Sequence, residues 1–331
     1  MSPRVTIHDV ADAAGVSVAT VSKVINARYG VAKSTSQRVQ AVIDQLGYES
    51  SLVARSMRSH KTHVIGILVA EFEPFSTEIL KGAATALADT DYELLAYTGA
   101  RHSGGAGWER RYLSRLSGTL IDGALIVTPT VVDANAGVPV VAIDPHEGPL
   151  GPPTVDSDNL TGGLLATRHL VELGHRRIGF IGGRADLASS ALREAGYRQA
   201  LADAGIEVDP ALMSTGDYEL DSSRGSAHEL LSLADRPTAI FAANDISAIA
   251  AMETAREMGL DVPADVSIVG FDDIPEASAT TPPLTTVHQP IKRMGAAGIE
   301  MLVRLIEGRA VESSHVRLPT SLVVRGTTRR V

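Results

Sequence analysis

The stretch "VTIHDVADAAGVSVATVSKVIN", Val5 to Asn26, reads as two short helices broken at one glycine. Thr6 followed three residues on by Asp9 is a capping-box-like start, with negative charge in the first turn. Val10, Ala11 and Ala14 share one helical face, and Gly15 supplies the positive φ that a sharp turn needs. Ser17 can cap a second helix whose Val21, Val24 and Ile25 face inward. A third helix, opened by a Ser34–Gln37 capping box, carries Val39, Val42, Ile43 and Leu46 at i, i+3, i+4 and i+7 and closes at Gly47. The first two helices are too short to be stable alone and must pack. Three such helices make a helix-turn-helix module, although periodicity alone fits a small helical cap equally well.

Charge separates the two readings. Residues 1–62 hold eight basic and four acidic side chains, whereas the rest of the chain holds 22 and 35. The head is thus net +4 and the remainder −13, within a total of −9. A basic head on an acidic body is the asymmetry expected when only the head meets phosphates.

"TIHDVADAAGVSVATVSKVIN" resembles the N-terminal signature of the LacI/GalR family of bacterial transcription regulators. The likeness continues through "LGYESSLVARSM", "HLVELGHRRIGFIGG", "LREAGYRQAL", "FAANDISAIAAM" and "VSIVGFDD", and so covers most of the chain. The resemblance implies DNA-binding heads, a hinge and a two-lobed effector-binding core, assembled as a homodimer on palindromic double-stranded operator DNA. Its recognition helix would run from Ser17 to Ile25 and enter the major groove. Val18 and Ala19 fall where the family places base-reading side chains, with Lys23 one turn on; being apolar, the first two can meet only thymine methyls or shape. Ser17, Thr20 and Ser22 are hydroxyls suited to phosphate, and Thr6, Asn26 and Thr35 complete the expected head contacts. Thr20 also fits core packing, as does Val21, for which packing is preferred. The hinge would contribute Ala54 and Met57, the latter at the position of a minor-groove wedge that is usually leucine. Ser50, where the family commonly has Asn, is a second departure.

From Val64 onward, apolar runs such as "HVIGILVA", "YELLAYT", "DGALIVTP", "VPVVAID", "RRIGFIGG", "TAIFAAND" and "VSIVGFDD" alternate with amphipathic helices, including "STEILKGAATALADT" and "GWERRYLSRLSG". This pattern predicts an α/β fold of parallel sheets with covered faces, too long for one open sheet. The expected organisation is a helix-turn-helix domain at 1–49, a hinge helix and linker at 50–62 and a two-lobed, periplasmic-binding-protein-like core at 63–331. Lobe 1 would take about 63–160 and 290–320, and lobe 2 about 161–289 and 321–331.

Several strands end in polar residues: Asp144 after "VVAI", Asn244 after "IFAA" and Asp272 after "SIVGF". Ligands of open α/β sheets bind at such carboxyl ends. The resemblance places these three, with Arg193 at the start of the helix "LREAGYRQAL", in an effector pocket where Arg and Asp grip sugar hydroxyls. Tyr218 stands where an aromatic often packs on the ligand. Ser189 and Gln289 are weaker candidates, and Phe72 and Phe75 offer an apolar wall. Each residue taken singly fits a cap or turn, the reading preferred for Asp245 and Asp273. A small saccharide inducer is expected, releasing a repressor of sugar-utilisation genes; a purine-like corepressor is the alternative, since Phe72, Phe75 and Tyr218 can stack a base.

Other chemistries find little support. There is no cysteine, hence no disulfide, Cys-based zinc site or thiol nucleophile. No Walker A, HExxH or GxSxG motif occurs, and "FIGG" lacks the dinucleotide spacing. "DSDN" at Asp156–Asn159 lacks the glycine and distal glutamate of a calcium loop. His175, after Gly174, reads as structural. No enzyme activity, cofactor or metal is expected. A free periplasmic-type binding protein would share the core but would need export and no DNA head. No apolar run approaches membrane length, so a cytoplasmic protein is expected. "SLVVRGTTRRV" at the end carries no leucine heptads, which favours a dimer over a tetramer.

Overall fold

A computed structural model describes residues 5–25, 29–48, 61–99, 107–118, 120–130, 137–147 and 151–331. The chain divides into two units, Met1–Thr62 and His63–Val331. Asn26, Ala54 and Met57, with most of the expected hinge, lie outside the described residues.

In the first unit, α1 spans Ile7–Ala14, α2 Val18–Ile25 and α3 Lys33–Leu46. Thr6 and Asp9 form the reciprocal capping box: the Thr6 amide donates to the Asp9 carboxylate at 2.7 Å. Gly15 closes α1 at φ 63°, its amide bonding back to Ala11 and Asp12. The Ser17 hydroxyl accepts from the Thr20 amide at 3.2 Å and so caps α2. Val10, Ala11, Ala14, Val21 and Val39 are buried together at the centre. One expectation fails here. The third helix begins before Ser34, and its cap position is Ala32, which has no side-chain hydrogen bond. Ser34 already lies inside the helix, so Ser34–Gln37 is no capping box.

The second unit holds two six-stranded sheets. The first comprises β1 (Val64–Val69), β2 (Glu93–Thr98), β3 (Gly123–Val127), β4 (Val140–Ile143), β5 (Thr154–Ser157) and β11 (His315–Leu318), in the order β11-β5-β4-β3-β1-β2. The second comprises β6 (Ile178–Gly182), β7 (Met213–Thr215), β8 (Ala239–Ala242), β9 (Ser267–Asp272), β10 (Thr285–His288) and β12 (Ser321–Val323), in the order β12-β10-β9-β8-β6-β7. All pairings between these strands are parallel except β10 with β12. "VIGILV", "GALIV", "VVAI", "IGFIG", "AIFA" and "SIVGFD" are buried along their whole length, because helices cover both faces. The edge strand β2 is half exposed.

The helices of this unit are α4 (Pro74–Leu87), α5 (Trp108–Leu116), α6 (Asn159–Glu172), α7 (Ala188–Asp203), α8 (Leu220–Leu231), α9 (Asp245–Glu257), α10 (Pro275–Ala279) and α11 (Ile291–Ile306). Helix α4 starts two residues before the expected "STEIL". Pro74 presets the first turn, and the Glu73 carboxylate accepts from the Phe75 and Ser76 amides at 2.6 and 2.8 Å. α11 packs on α4 and on β3, β4 and β5, whereas α6 packs on α7 and on β9, β10 and β12. The chain therefore passes between the two lobes three times, at 158, at 289–290 and at 319–320.

Candidate functional site

In the head, Ser17, Ala19 and Lys23 are exposed on α2, with Ser22 half-buried beside them. Val18 is half-buried and packs on the head core, and Thr20 is half-buried with its hydroxyl at 2.9 Å from that of Ser17. Val21 is fully buried, so its packing role holds. Thr6 is exposed, but its hydroxyl is engaged by Asp9 at 2.7 Å. Thr35 lies half-buried in the first turn of α3.

In the core, the carboxyl ends of β4, β8 and β9 deliver Asp144, Asn244 and Asp272, and α7 delivers Ser189 and Arg193. Arg193 sits in the second turn of α7 rather than at its start, because the helix opens at Ala188. It is 4% exposed and centres a buried network. Its Nε donates to Asn159 Oδ1 at 2.8 Å; its Nη1 donates to the Ala243 carbonyl at 2.6 Å and to Asp272 Oδ1 at 3.3 Å. The guanidinium lies 3.8 Å from the Phe271 ring centroid and 5.7 Å from that of Tyr218. Gln289 donates to the same Asp272 Oδ1 at 3.0 Å and accepts from Ser157, tying one crossing of the chain to the site. These bonds use Nε and Nη1 of Arg193 and Oδ1 of Asp272, which leaves Nη2 and Oδ2 for a further partner.

The backbone is strained where the chain enters the cleft. Asp144 (φ 46°), Tyr218 (φ 65°) and Asp272 (φ 111°) lie in the left-handed region although none is glycine. Each such residue costs roughly 1–3 kcal/mol, and such positions gather at ligand sites. Electrostatics agree. Burial pushes the Asp272 carboxyl up to about 7 against the pull of Arg193, with Glu73 and Asp144 adding to the rise. Burial likewise raises Asp144, opposed by Arg193 and Ser189. Asp144 and Ser189 come from different lobes, so the site is shared between them.

Tyr218 is set differently from a free aromatic wall. A Cβ on Gly183 would stand 2.0 Å from Tyr218 Cζ, so the ring packs directly on the glycine backbone and only glycine fits there. Burial raises its hydroxyl further above the ordinary phenol range, with Arg193 and a hydrogen bond with Ser190 opposing the rise. Phe75 packs on the hydrophobic core, and Phe72 is 52% exposed. The capping role expected of Asp245 falls to Asn244. Asn244 caps α9, its Oδ1 accepting from the Ser247 amide at 2.9 Å, so only its amide nitrogen remains for a ligand. Asp245 is a buried staple that accepts from Thr286 and from the Ile274 amide, and burial, with Asp272 nearby, holds its carboxyl well above the usual range. Asp273 pairs with His288 and Arg325.

A family model for bacterial regulatory proteins, lacI family, matches residues 6–51, and one for a periplasmic binding protein-like domain matches 167–328. The HTH-type transcriptional repressor PurR of Aliivibrio salmonicida is 35% identical over 98% of this chain and 99% of its own. The chain belongs to the LacI family. The HTH-type transcriptional regulator CelR of Thermobifida fusca is 37% identical over 97% of this chain and 98% of its own. Among solved structures, a CelR–cellobiose complex is similar at TM-score 0.72 and 36% identity, over 98% of this chain and 100% of that one. A lac repressor dimer bound to operator and an anti-inducer is similar at 0.85 and 29%, over 99% and 100%. As a LacI-family member, the protein is a DNA-binding transcriptional repressor with a periplasmic-binding-protein-like core. These relatives are regulators rather than enzymes.

Sequence reading missed several parts of this LacI-family cleft. Asn159 holds the Arg193 Nε, although the sequence of "DSDN" points only to a failed calcium loop; an amide at the first position of a helix just after a strand end is the available signal. His146 and Asp186, which meet across the lobes, are forty residues apart and carried no local signal. His175 is 1% exposed and bonds to Thr238 and Ser267, in keeping with a structural role. Among the described residues, no metal-binding cluster occurs and no helix is long and apolar enough to cross a membrane.

Proposed function

We propose that this repressor is a cytoplasmic homodimer that binds a palindromic operator and is released from it by a small, uncharged saccharide held between the lobes of its core. The head at 1–49 would dock α2 in the major groove, with Lys23, Ser17 and Ala19 on its exposed face and 50–62 serving as the hinge. The observation that carries the effector reading is the pairing of Arg193 with Asp272. One nitrogen of the buried Arg193, in the second turn of α7, and one oxygen of the buried Asp272, at a strand end in strained backbone, remain for a ligand. A vicinal diol satisfies both, accepting from the guanidinium and donating to the carboxylate. Asp144, with the donors Ser189 and Asn244, extends a polar lining suited to several hydroxyls.

The similarity to PurR supports a purine corepressor as second reading. Against it, Phe72 is half exposed and one face of Tyr218 rests on Gly183, so no pair of aromatic faces brackets a base among the described residues. Similarity to the CelR–cellobiose complex favours the sugar. Calorimetry with cellobiose and other neutral disaccharides, set against purine bases, tests the choice. A disaccharide is expected to bind and to lower operator affinity; binding by a purine base alone, with operator affinity raised, would replace this reading with the second.

A further inference from the structure

His146 belongs to the first lobe, in the turn after β4, where its amide donates to the Pro129 carbonyl at 3.1 Å. Its other contacts reach the second lobe. The His146 carbonyl accepts from the Ala188 amide, the first of α7, at 2.8 Å. Its Nδ1 lies 3.1 Å from Asp186 Oδ2, and Asp186 is gripped in turn by Arg184 through two bonds of 3.1 and 2.7 Å. His146 is 6% exposed, although Asp186 stands at the surface. On one side the contact lies two residues from Asp144; on the other it lies one residue from Ser189 and a turn and a half from Arg193. It therefore joins the two segments that carry the cleft's polar residues.

We propose that His146 and Asp186 form a latch between the lobes that holds the cleft closed and thereby sets the affinity for effector. The chemistry needs no charge on the imidazole. A carboxylate only accepts hydrogen bonds, so Nδ1 carries the proton and donates it. Burial keeps the ring below its ordinary pKa against the pull of Asp186, with Arg184 lowering it and Glu109 raising it. Asp186 is held ionised chiefly by its bonds to Arg184. Asp144 and Arg193 face each other only when the lobes are together, so the closed form is the one competent to bind. Apparent affinity scales with the population of that form. A hydrogen bond to a carboxylate that stands at the surface is worth a factor of roughly two to five.

The latch can be read without any ligand, because the Ala188 amide owes its protection to the other lobe. In the full chain, His146→Ala should speed hydrogen exchange at Ala188 roughly two- to fivefold, and Asp186→Asn somewhat less, with α11 unchanged. His146→Asn, which keeps a donor near Nδ1, should restore protection. Affinity for cellobiose should fall in parallel with the lost protection; this arm alone rests on the saccharide reading. Unaltered exchange at Ala188 in both His146→Ala and Asp186→Asn overturns the latch. Faster exchange with undiminished cellobiose affinity overturns its control of binding. If cellobiose does not bind the unmodified protein, the saccharide reading is at fault and the exchange result still decides the latch.

Discussion

The second sheet has a buried polar cluster at each end, and the two are built to opposite rules. At the amino ends of its strands, His175 bonds through Nδ1 to Thr238 at 2.8 Å and through Nε2 to Ser267 and the Arg329 carbonyl at 3.1 and 3.2 Å. Thr327 beside it is fully buried, donates to the Ile268 carbonyl at 2.6 Å and accepts from the Thr285 amide at 2.9 Å. Donors and acceptors there are matched within the chain, and the C-terminal segment is strapped down by them. At the carboxyl ends, Arg193 and Asp272 are also buried, but each keeps a group for another partner. Burial alone therefore does not distinguish a site from a scaffold. Completeness of hydrogen bonding separates these two clusters, since a native fold rarely leaves buried polar groups idle.

The largest expected effect breaks the cleft end. Arg193→Ala or Asp272→Ala should cost about 2–4 kcal/mol of effector binding, roughly thirty- to a thousandfold in affinity. Operator binding without effector should persist, giving a repressor that no longer responds. Calorimetry and operator gel shifts on each variant check this, and undiminished effector affinity in both would remove these residues from the pocket.

Next comes the strap. His175→Ala leaves Thr238 and Ser267 short of partners and should destabilise the fold by about 2–3 kcal/mol while effector affinity stays unchanged. Burial lowers the His175 pKa below its ordinary 6.5. The folded chain therefore binds fewer protons than the unfolded one just below that value. Its contribution is complete above about pH 6.5 and shrinks as pH falls further. Thermal unfolding of the wild type and the variant across pH 5–8 should show their difference narrowing on the acid side.

The smallest effect sharpens the contrast by reversing its sign. Asp272 has its pKa raised from 3.8 to about 7, so the folded chain binds the extra proton and stability from this group drops as pH rises between those values. Asp272→Asn should then raise the unfolding temperature at pH 8, worth about 1 kcal/mol, and do nothing near pH 3.5. A variant that is more stable yet binds effector less well would mark the carboxylate as kept for binding. Equal unfolding temperatures at pH 8 would refute that.

Much of this architecture is legible in the sequence, for identifiable reasons. Fully apolar runs such as "VIGILV" and "SIVGFD" belong to strands covered on both faces, and a polar residue ending such a run is easily seen. The head was legible because Thr6, Asp9, Gly15 and Ser17 act on neighbours within four residues. What escaped was nonlocal or positional. Whether Asn244 or Asp245 caps α9 depends on where the helix starts, a matter of one residue. Ser34 misled because capping is decided by which residue stands just outside the helix, and that is Ala32. Asn159 acquires its role from the packing of α6 on α7, and His146 and Asp186 theirs from the meeting of the two lobes.

The threefold passage of the chain between the lobes also bears on how the protein is made. β5 pairs on one side with β4 and on the other with β11, which begins at His315. On a ribosome adding about 5–20 residues per second, that partner arrives roughly ten to thirty seconds after Ser157. Until then the nascent first lobe presents an open strand edge, and five strands of the second lobe, β6 to β10, must emerge before it is covered. Helix α11, which packs on β3, β4 and β5, is equally late. Neither lobe is a contiguous piece of chain, and the first becomes complete only once β11 has been made.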